Sequence, residues 1–336
     1  MLHFGSVDIP TPALLAPMSG ITDRPFRRLI RRCNPDAVGL YTTEFISIEA
    51  LWNKSQRSIE MMRTDPDEAP FAVQLFGRDI ERMVHAGRIA VERGAQIVDI
   101  NCGCPAPKVV KRGGGAALMK EPDHFEALAT AMVEALPVPV TVKTRSGWDE
   151  ANQNVVEIAR RAERAGVSAI AVHPRSRQKL YSGQANWSLV AQVVRAVSIP
   201  VIGSGDVCTP EDETSLAQAS GCAAFMVGRG ALHNPFIFRE LAAARRGDAL
   251  PEASKEERIA LLVDYARLLA EDLPERAWIG RLKNVANRMT QPWQAPNLRR
   301  RLLRSGSAEE LLDHVRRAAD VSAGELVGEE LDAPEQ

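Results

Sequence analysis

The chain has 336 residues, a formal net charge of −1, 45% hydrophobic and 25% charged residues, which is the balance of a folded enzyme, excludes a disordered or fibrous chain and does not by itself announce nucleic-acid binding. No apolar run approaches the roughly 20 residues that cross a bilayer, and the N-terminus Met1-Leu2-His3-Phe4-Gly5 lacks the basic and apolar regions of an export signal, so no membrane partner is expected. Five cysteines, odd in number and set in or beside apolar stretches, fit reduced thiols in a cytoplasmic protein, and Cys102-x-Cys104 has no second pair or histidine cluster to make it a metal site.

In chain order, short apolar or β-branched runs predict strands at 13–17, 38–42, 71–75, 97–100, 138–144, 169–173, 200–203 and 223–227. Amphipathic stretches between them predict helices at 25–32, 79–92, 123–136, 153–165, 187–197 and 210–219, while 44–69 is irregular and reads as an excursion. Apolar strands joined by crossover helices mean a parallel sheet buried on both faces. Eight of them in about 230 residues match the usual size of a (β/α)8 barrel. The predicted strands end in polar or glycine residues, among them Met18-Ser19-Gly20, Gln74, Asn101, Lys143-Thr144-Arg145, His173-Pro174-Arg175, Gly203-Ser204-Gly205-Asp206 and Gly228-Arg229. Core residues do not follow that pattern, whereas the catalytic rim of a barrel does.

Near Gly247 the alternation stops, and helices are predicted at 255–272, 275–289, 297–304 and 307–321, the last opened by a capping box at Ser307-Ala308-Glu309-Glu310. The expected fold is therefore α/β, a TIM barrel at 1–247 followed by a small helical domain at 248–323 and an acidic, disordered tail at 324–336. Between Arg276 and Ala308 there is no Asp or Glu, but there are Arg276, Arg281, Lys283, Arg288, Arg299, Arg300, Arg301 and Arg304. Such a stretch is either a solvated helix face or a phosphate-binding surface.

Three features carry chemistry. Asp99-Ile100-Asn101-Cys102-Gly103-Cys104-Pro105 sets thiols on a tight loop at a strand end, where a cysteine is either a small buried hydrophobe or a used thiol. The glycine loops Gly203–Asp206 and Gly228–Gly230 fall at the seventh and eighth strands, where barrels frequently bind phosphate, and Arg229 adds a charge there. Lys143, at the end of the fifth strand, must meet negative charge or lose its own. That charge is either a phosphate-bearing cofactor's electron-rich edge or a neighbouring acid, Asp99 or Glu44.

These residues together resemble the tRNA-dihydrouridine synthase family. The resemblance rests on Ala16–Asp23 with Phe26-Arg27, Gln74–Gly77, Asp99–Pro105 with Lys108, Gly113–Met119, Val142–Arg145, His173–Arg177 with Tyr181–Gly183, Ile199–Asp206 and Met226–Ala231, and continues weakly at Arg281–Asn284. It implies an FMN-dependent barrel that reduces the C5=C6 bond of particular tRNA uridines with NAD(P)H, acting as a monomer. By the same resemblance Pro17, Met18, Ser19, Gln74, Lys143, His173, Ser204, Gly205, Asp206, Gly228 and Arg229 hold the flavin. Asn101 and Arg175 hold the uracil, and Cys104 rather than Cys102 gives the proton. The helical domain and the rim residues Arg24, Arg27, Lys108, Lys111 and Arg112 hold tRNA. The chain departs from the family pattern at Pro174, at Ser204, at Asn284 and in the extra thiol Cys102. The competing expectation is a flavin barrel acting on a free pyrimidine or another small molecule.

Overall fold

The computed structural model describes residues 2–249, 253–293 and 296–320. Eight parallel strands, Ala13–Leu15, Tyr41–Thr42, Phe71–Phe76, Ile97–Cys102, Val140–Arg145, Ala169–His173, Val201–Ser204 and Ala224–Val227, lie side by side in chain order. The first and second meet through a parallel bridge at Leu14 and Leu40, with Gly39 N–H donating to Ala13 O at 2.7 Å and Leu15 N–H to Leu40 O at 2.9 Å. The sheet thus curls into the predicted barrel, with crossover helices at Arg24–Cys33, Ile80–Glu92, Pro122–Ala135, Val155–Arg164, Trp187–Ala196 and Pro210–Ser220 joining successive strands. Local chemistry starts these helices: Asp23 accepts from Phe26 N–H, Asp79 from Arg82 N–H, and Thr209 and Asp212 form a reciprocal capping box.

Alternate residues of each strand point inward, and their character changes along the barrel axis. At the N-terminal end they are apolar: Leu14, Leu40, Ala72, Ile97, Ala169, Ala171, Ile202 and Ala224 pack in one cluster with Phe4 and Ile9. Those last two come from an unpredicted antiparallel hairpin, Leu2–Phe4 with Val7–Ile9, which plugs the barrel floor. Its turn needs Gly5, held at φ +59°, where a Cβ would fall 2.8 Å from Pro139. Two residues further along each strand the inward positions become Gln74, Asp99, Thr141 and Lys143. The parallel register pairs Gln74 with Asp99, Asn101 with Lys143 and Arg145 with His173.

The irregular stretch after the second strand contains the short strand Ile46–Ser47 and the helices Ile48–Trp52 and Gln56–Glu60. After the eighth strand come two helices that periodicity alone did not reveal, Arg229–His233 and Ile237–Arg246, the second closed by left-handed Gly247. Beyond them the described residues form only helices, chiefly Lys255–Asp272, Glu275–Met289, Pro296–Arg304 and Ala308–Asp320. Half of the predicted capping box is present at Ser307, with Glu310 N–H donating to Ser307 Oγ at 3.2 Å, while the Glu310 carboxylate reaches one residue further back and takes Gly306 N–H at 2.6 Å. These helices sit on the first crossover helix through the edge-on ring pair Phe26–Tyr265 at 6.1 Å, the Arg24–Asp272 pair at 2.8 Å and an Arg281–Asp23 ion pair. The predicted tail at 324–336 lies outside the described residues. Among the described residues no helix is long and apolar enough to cross a membrane, and no cluster of His, Cys, Asp and Glu is arranged to hold a metal ion.

Candidate active site

The C-terminal strand ends open into one cleft of about 640 Å³, a size that suits a small-molecule cofactor. All the site residues predicted from the sequence line it except Arg175.

The floor is a hydrogen-bonded ladder across three strands. Thr141 Oγ1 donates to Asp99 Oδ1 at 2.6 Å, Gln74 Nε2 donates to Asp99 Oδ2 at 2.7 Å, and Asn101 Nδ2 donates to Gln74 Oε1 at 2.8 Å. Burial pushes the Asp99 carboxyl up, while these donors and Lys143 pull it back toward the ionised form. The other end of the Asn101 carboxamide accepts from Gly103 N–H at 3.2 Å and Cys104 N–H at 2.9 Å. Asn101, expected to hold substrate, therefore also shapes the cysteine loop, and one of its two amide hydrogens is already committed to Gln74.

Cys104 is half-buried at the cleft wall. Its loop is backed by the glycine run: Ala116 N–H donates to Cys104 O at 3.1 Å, and Gly115, at φ +59°, lies where a Cβ would come 2.7 Å from that oxygen. Desolvation raises the Cys104 thiol above its usual range, against the backbone N–H of Ala106 and the charges of Arg145, Lys108 and Lys143. It is thus a protonated thiol at neutral pH, suited to giving a proton rather than attacking as a thiolate. Cys102 is fully buried in the layer between barrel and helices, and burial pushes its thiol up to about 12. The two thiols answer the two readings of the motif, one as core and one as cleft wall.

Among the described residues no carboxylate lies within ion-pair distance of Lys143, so neither acid considered for it is its partner. Asp99 is bound by Gln74 and Thr141, and Glu44 accepts from Gly20 N–H. Desolvation lowers the Lys143 ammonium from 10.5 to about 8, with Arg145 adding to the effect and Asp99 and Cys104 opposing it. The cost of holding this charge is full below the folded pKa of about 8 and fades as pH rises toward 10.5, where neither state is charged. Lys143→Met is therefore expected to stabilise the flavin-free protein by about 2–3 kcal/mol at neutral pH and by little in strong alkali. Urea unfolding at the two pH values checks this, and a destabilised variant at neutral pH would contradict it.

His173 is held neutral by burial and by the surrounding cations Arg145, Lys143, Arg175 and Arg229, so its ring meets a ligand as an uncharged donor or acceptor. Gly205, at φ +129°, lets the seventh-strand loop pass the ring, since a Cβ there would lie 3.2 Å from His173 Cδ2.

The residues expected at a phosphate end form a chain of ion pairs. Arg175, 4% exposed, donates from Nη1 and Nη2 to Asp206 at 2.9 and 2.7 Å, and Nη2 also donates to Gly183 O at 2.6 Å. Asp206 also accepts from Arg229 Nη2 at 3.0 Å and from Ala185 N–H at 3.3 Å. Arg175 was expected to reach the uracil; its guanidinium is instead spent on Asp206 and the 182–183 backbone, because a buried guanidinium binds the nearest carboxylate bidentately. The Asp206 side chain likewise serves Arg175 and Arg229, which aims Arg229 at the cleft.

Sequence reasoning placed Arg145 among the rim strand ends and Tyr181 in a shared motif but gave neither a role in the cleft wall, where both lie. Arg145 donates to Ser176 O and Leu180 O at 3.0 and 2.7 Å and lies 5.4 Å from the Tyr181 ring, which Arg229 also approaches at 5.0 Å. The strand period offered a signal: Arg145 is two residues beyond Lys143 and shares its face.

A model of the family "Dihydrouridine synthase (Dus)" matches residues 14–323. This chain belongs to the dihydrouridine synthase family. It is 39% identical to tRNA-dihydrouridine synthase B of Pseudomonas aeruginosa over 267 residues, 79% of each chain. It is 44% identical over 252 residues to a probable tRNA-dihydrouridine synthase of Rhodobacter capsulatus, covering 75% of this chain and 77% of the relative. A third relative, probable tRNA-dihydrouridine synthase 1 of Synechocystis, is 36% identical over 310 residues, 92% of this chain and 86% of its own. The family match runs through both the barrel and the helices beyond it, so the departures at Pro174, Ser204 and Asn284 sit within a dihydrouridine synthase rather than outside one.

Proposed function

We propose that this protein is a tRNA-dihydrouridine synthase that uses FMN and NAD(P)H in the cytoplasm, with its barrel at 1–247 and a tRNA-binding helical domain at 248–323. The observation that carries the reading is the pairing of an unpartnered lysine, Lys143, with a protonated, half-buried thiol, Cys104, in one cleft.

The donor set fits FMN. Lys143 offers a cation to an electron-rich ring edge, Gln74 shares the floor with it, and neutral His173 avoids adding a further charge. Pro17, Met18 and Ser19 line the same cleft on a loop fastened by Met18 N–H to Thr22 Oγ1 at 2.9 Å. Ser204, Gly205 and Asp206 with Gly228 and Arg229 form the phosphate end. At Gly228 an added Cβ would meet only ordinary contacts, 3.5 Å to Ala16 Cβ, so the protein itself leaves room there for a ligand. When bound, reduced FMN supplies hydride to C6 of the uracil ring.

The chain's own residues do the rest. Cys104 delivers its proton to C5, where charge develops because C5=C6 is conjugated to the O4 carbonyl. Arg145 and the free amide hydrogen of Asn101 are the donors placed to stabilise that charge. The target base must leave the RNA stack, at a cost of a few kcal/mol, which phosphate contacts offset. Exposed Lys108, Lys111 and Arg112 beside the cleft, with Arg299, Arg300 and Arg304 on the helical domain, serve that purpose. Arg27 and Arg24 do not, since Arg27 is fully buried against Glu68 and Arg24 is paired with Asp65 and Asp272.

The purified protein is expected to be yellow with bound FMN, and its tRNA affinity to fall steeply with salt as phosphate contacts release counterions. Protein that takes up no FMN on reconstitution, or a salt-independent tRNA affinity, would overturn the reading.

A further inference from the structure

The helix Glu275–Met289, in the domain proposed above to bind RNA, also reaches the cleft. It packs on the short helix Arg229–His233 that follows the eighth-strand glycine loop. From its last turn Arg288 lines the cleft together with Val207, Gly228, Arg229 and Gly230. Among the described residues no carboxylate lies within ion-pair distance of Arg288; its Nε donates instead to the neutral amide of Asn284, one turn back, at 3.2 Å. An amide orients a guanidinium without cancelling its charge.

The charges around this end do not balance. Arg175 and Arg229 share the Asp206 carboxylate, Arg288 brings a third guanidinium to the same end of the cleft, and Asp212, whose carboxylate takes Cys208 N–H at 2.9 Å, is engaged as a helix cap, so positive charge is in excess among these groups. His233, which feels Arg288, Arg229 and Arg299, is pushed toward its neutral form by burial and by those cations, so it neither adds to nor removes from that excess. A phosphate monoester carries about −1.5 to −2 at neutral pH and accepts fork-shaped donors. Gly230 brings the two loops close enough for this, since a Cβ there would collide with Val207 O at 2.3 Å.

We propose that Arg288 of the helical domain closes on the phosphate monoester of FMN opposite Arg229, so that the cofactor is clamped between barrel and helical domain. The proposal rests on the flavin reading above and gives the helical domain a share in cofactor retention. It separates Arg288 from Arg299, which is exposed and held by Asn287 at 3.0 Å, and which is left to RNA.

The test is titration of flavin-free full-length protein with FMN and with riboflavin, which lacks the phosphate, followed by flavin fluorescence. The native protein is expected to prefer FMN. Arg288→Gln should weaken FMN binding roughly tenfold or more while leaving riboflavin binding unchanged. Arg288→Lys should recover part of the loss, and Arg299→Gln should keep native FMN affinity. Unchanged FMN affinity in a folded Arg288→Gln variant, or an equal loss for FMN and riboflavin, overturns the clamp. If the native protein does not distinguish FMN from riboflavin, the phosphate end itself is misplaced and the clamp falls with it.

Discussion

Cys104→Ala is expected to lower dihydrouridine formation by about 10²- to 10⁴-fold, the usual contribution of a positioned general acid. The variant should still bind FMN, accept hydride from NAD(P)H and bind tRNA, because none of these steps uses the thiol proton. Single-turnover oxidation of the reduced enzyme by tRNA measures the step directly. Cys102→Ala should keep native turnover and lose about 1 kcal/mol of stability, since its sulfur is packed in the outer core. The acid must be protonated, so turnover is retained at neutral pH and lost as pH rises through the thiol's pKa. Burial places that limb above the ordinary thiol range, and replacing Cys104 should remove it. If Cys102→Ala is the inactive variant, or if both variants are active, the proton comes from elsewhere.

Glu68→Ala is expected to be the most destabilising single change outside the site, by about 3–5 kcal/mol, because it strands a buried charge. Arg27 and Glu68 are both 0% exposed and ion-paired. Arg27 also donates to Thr22 O at 3.0 Å and Arg63 O at 2.7 Å, and its guanidinium lies 5.0 Å from the Phe71 ring. Thr22 in turn holds Met18 N–H, so the same substitution should loosen the 18–22 loop and weaken flavin binding. Denaturant unfolding and FMN titration read the two effects. A loss below about 1 kcal/mol would show that the pair is not the anchor described here.

Much of this was legible in the sequence, and the failures have physical causes. Strands such as 169–173 were readable because both faces are buried, which makes the whole run apolar and β-branched. The strand predicted at 38–42 is regular only at Tyr41–Thr42, since Val38 to Leu40 are apolar whether or not they join a ladder. The hairpin at 2–9 was missed because two three-residue strands give no periodicity, and the short helix at 229–233 for the same reason. Among site residues, those displayed by strand register were found from spacing and resemblance. The partners of Arg175 and Arg27 were not, because Asp206 and Glu68 are 31 and 41 positions away and charge alone does not say which cation is buried. Arg288 escaped for a related reason: an arginine in a basic run reads as one more RNA contact until the fold brings it to the glycine-loop end of the cleft.

The central claim is that this cleft reduces uridine within tRNA. Flavin-loaded protein, NADPH and tRNA stripped of dihydrouridine by preparation from a strain lacking the modification should be incubated together and the nucleosides resolved by mass spectrometry. The account predicts a uridine product heavier by two hydrogens in tRNA, none from free uridine, uracil or orotate, and almost none with Cys104→Ala. Reduction of a free pyrimidine in preference to tRNA, or NADPH consumption with no dihydrouridine formed, would contradict it.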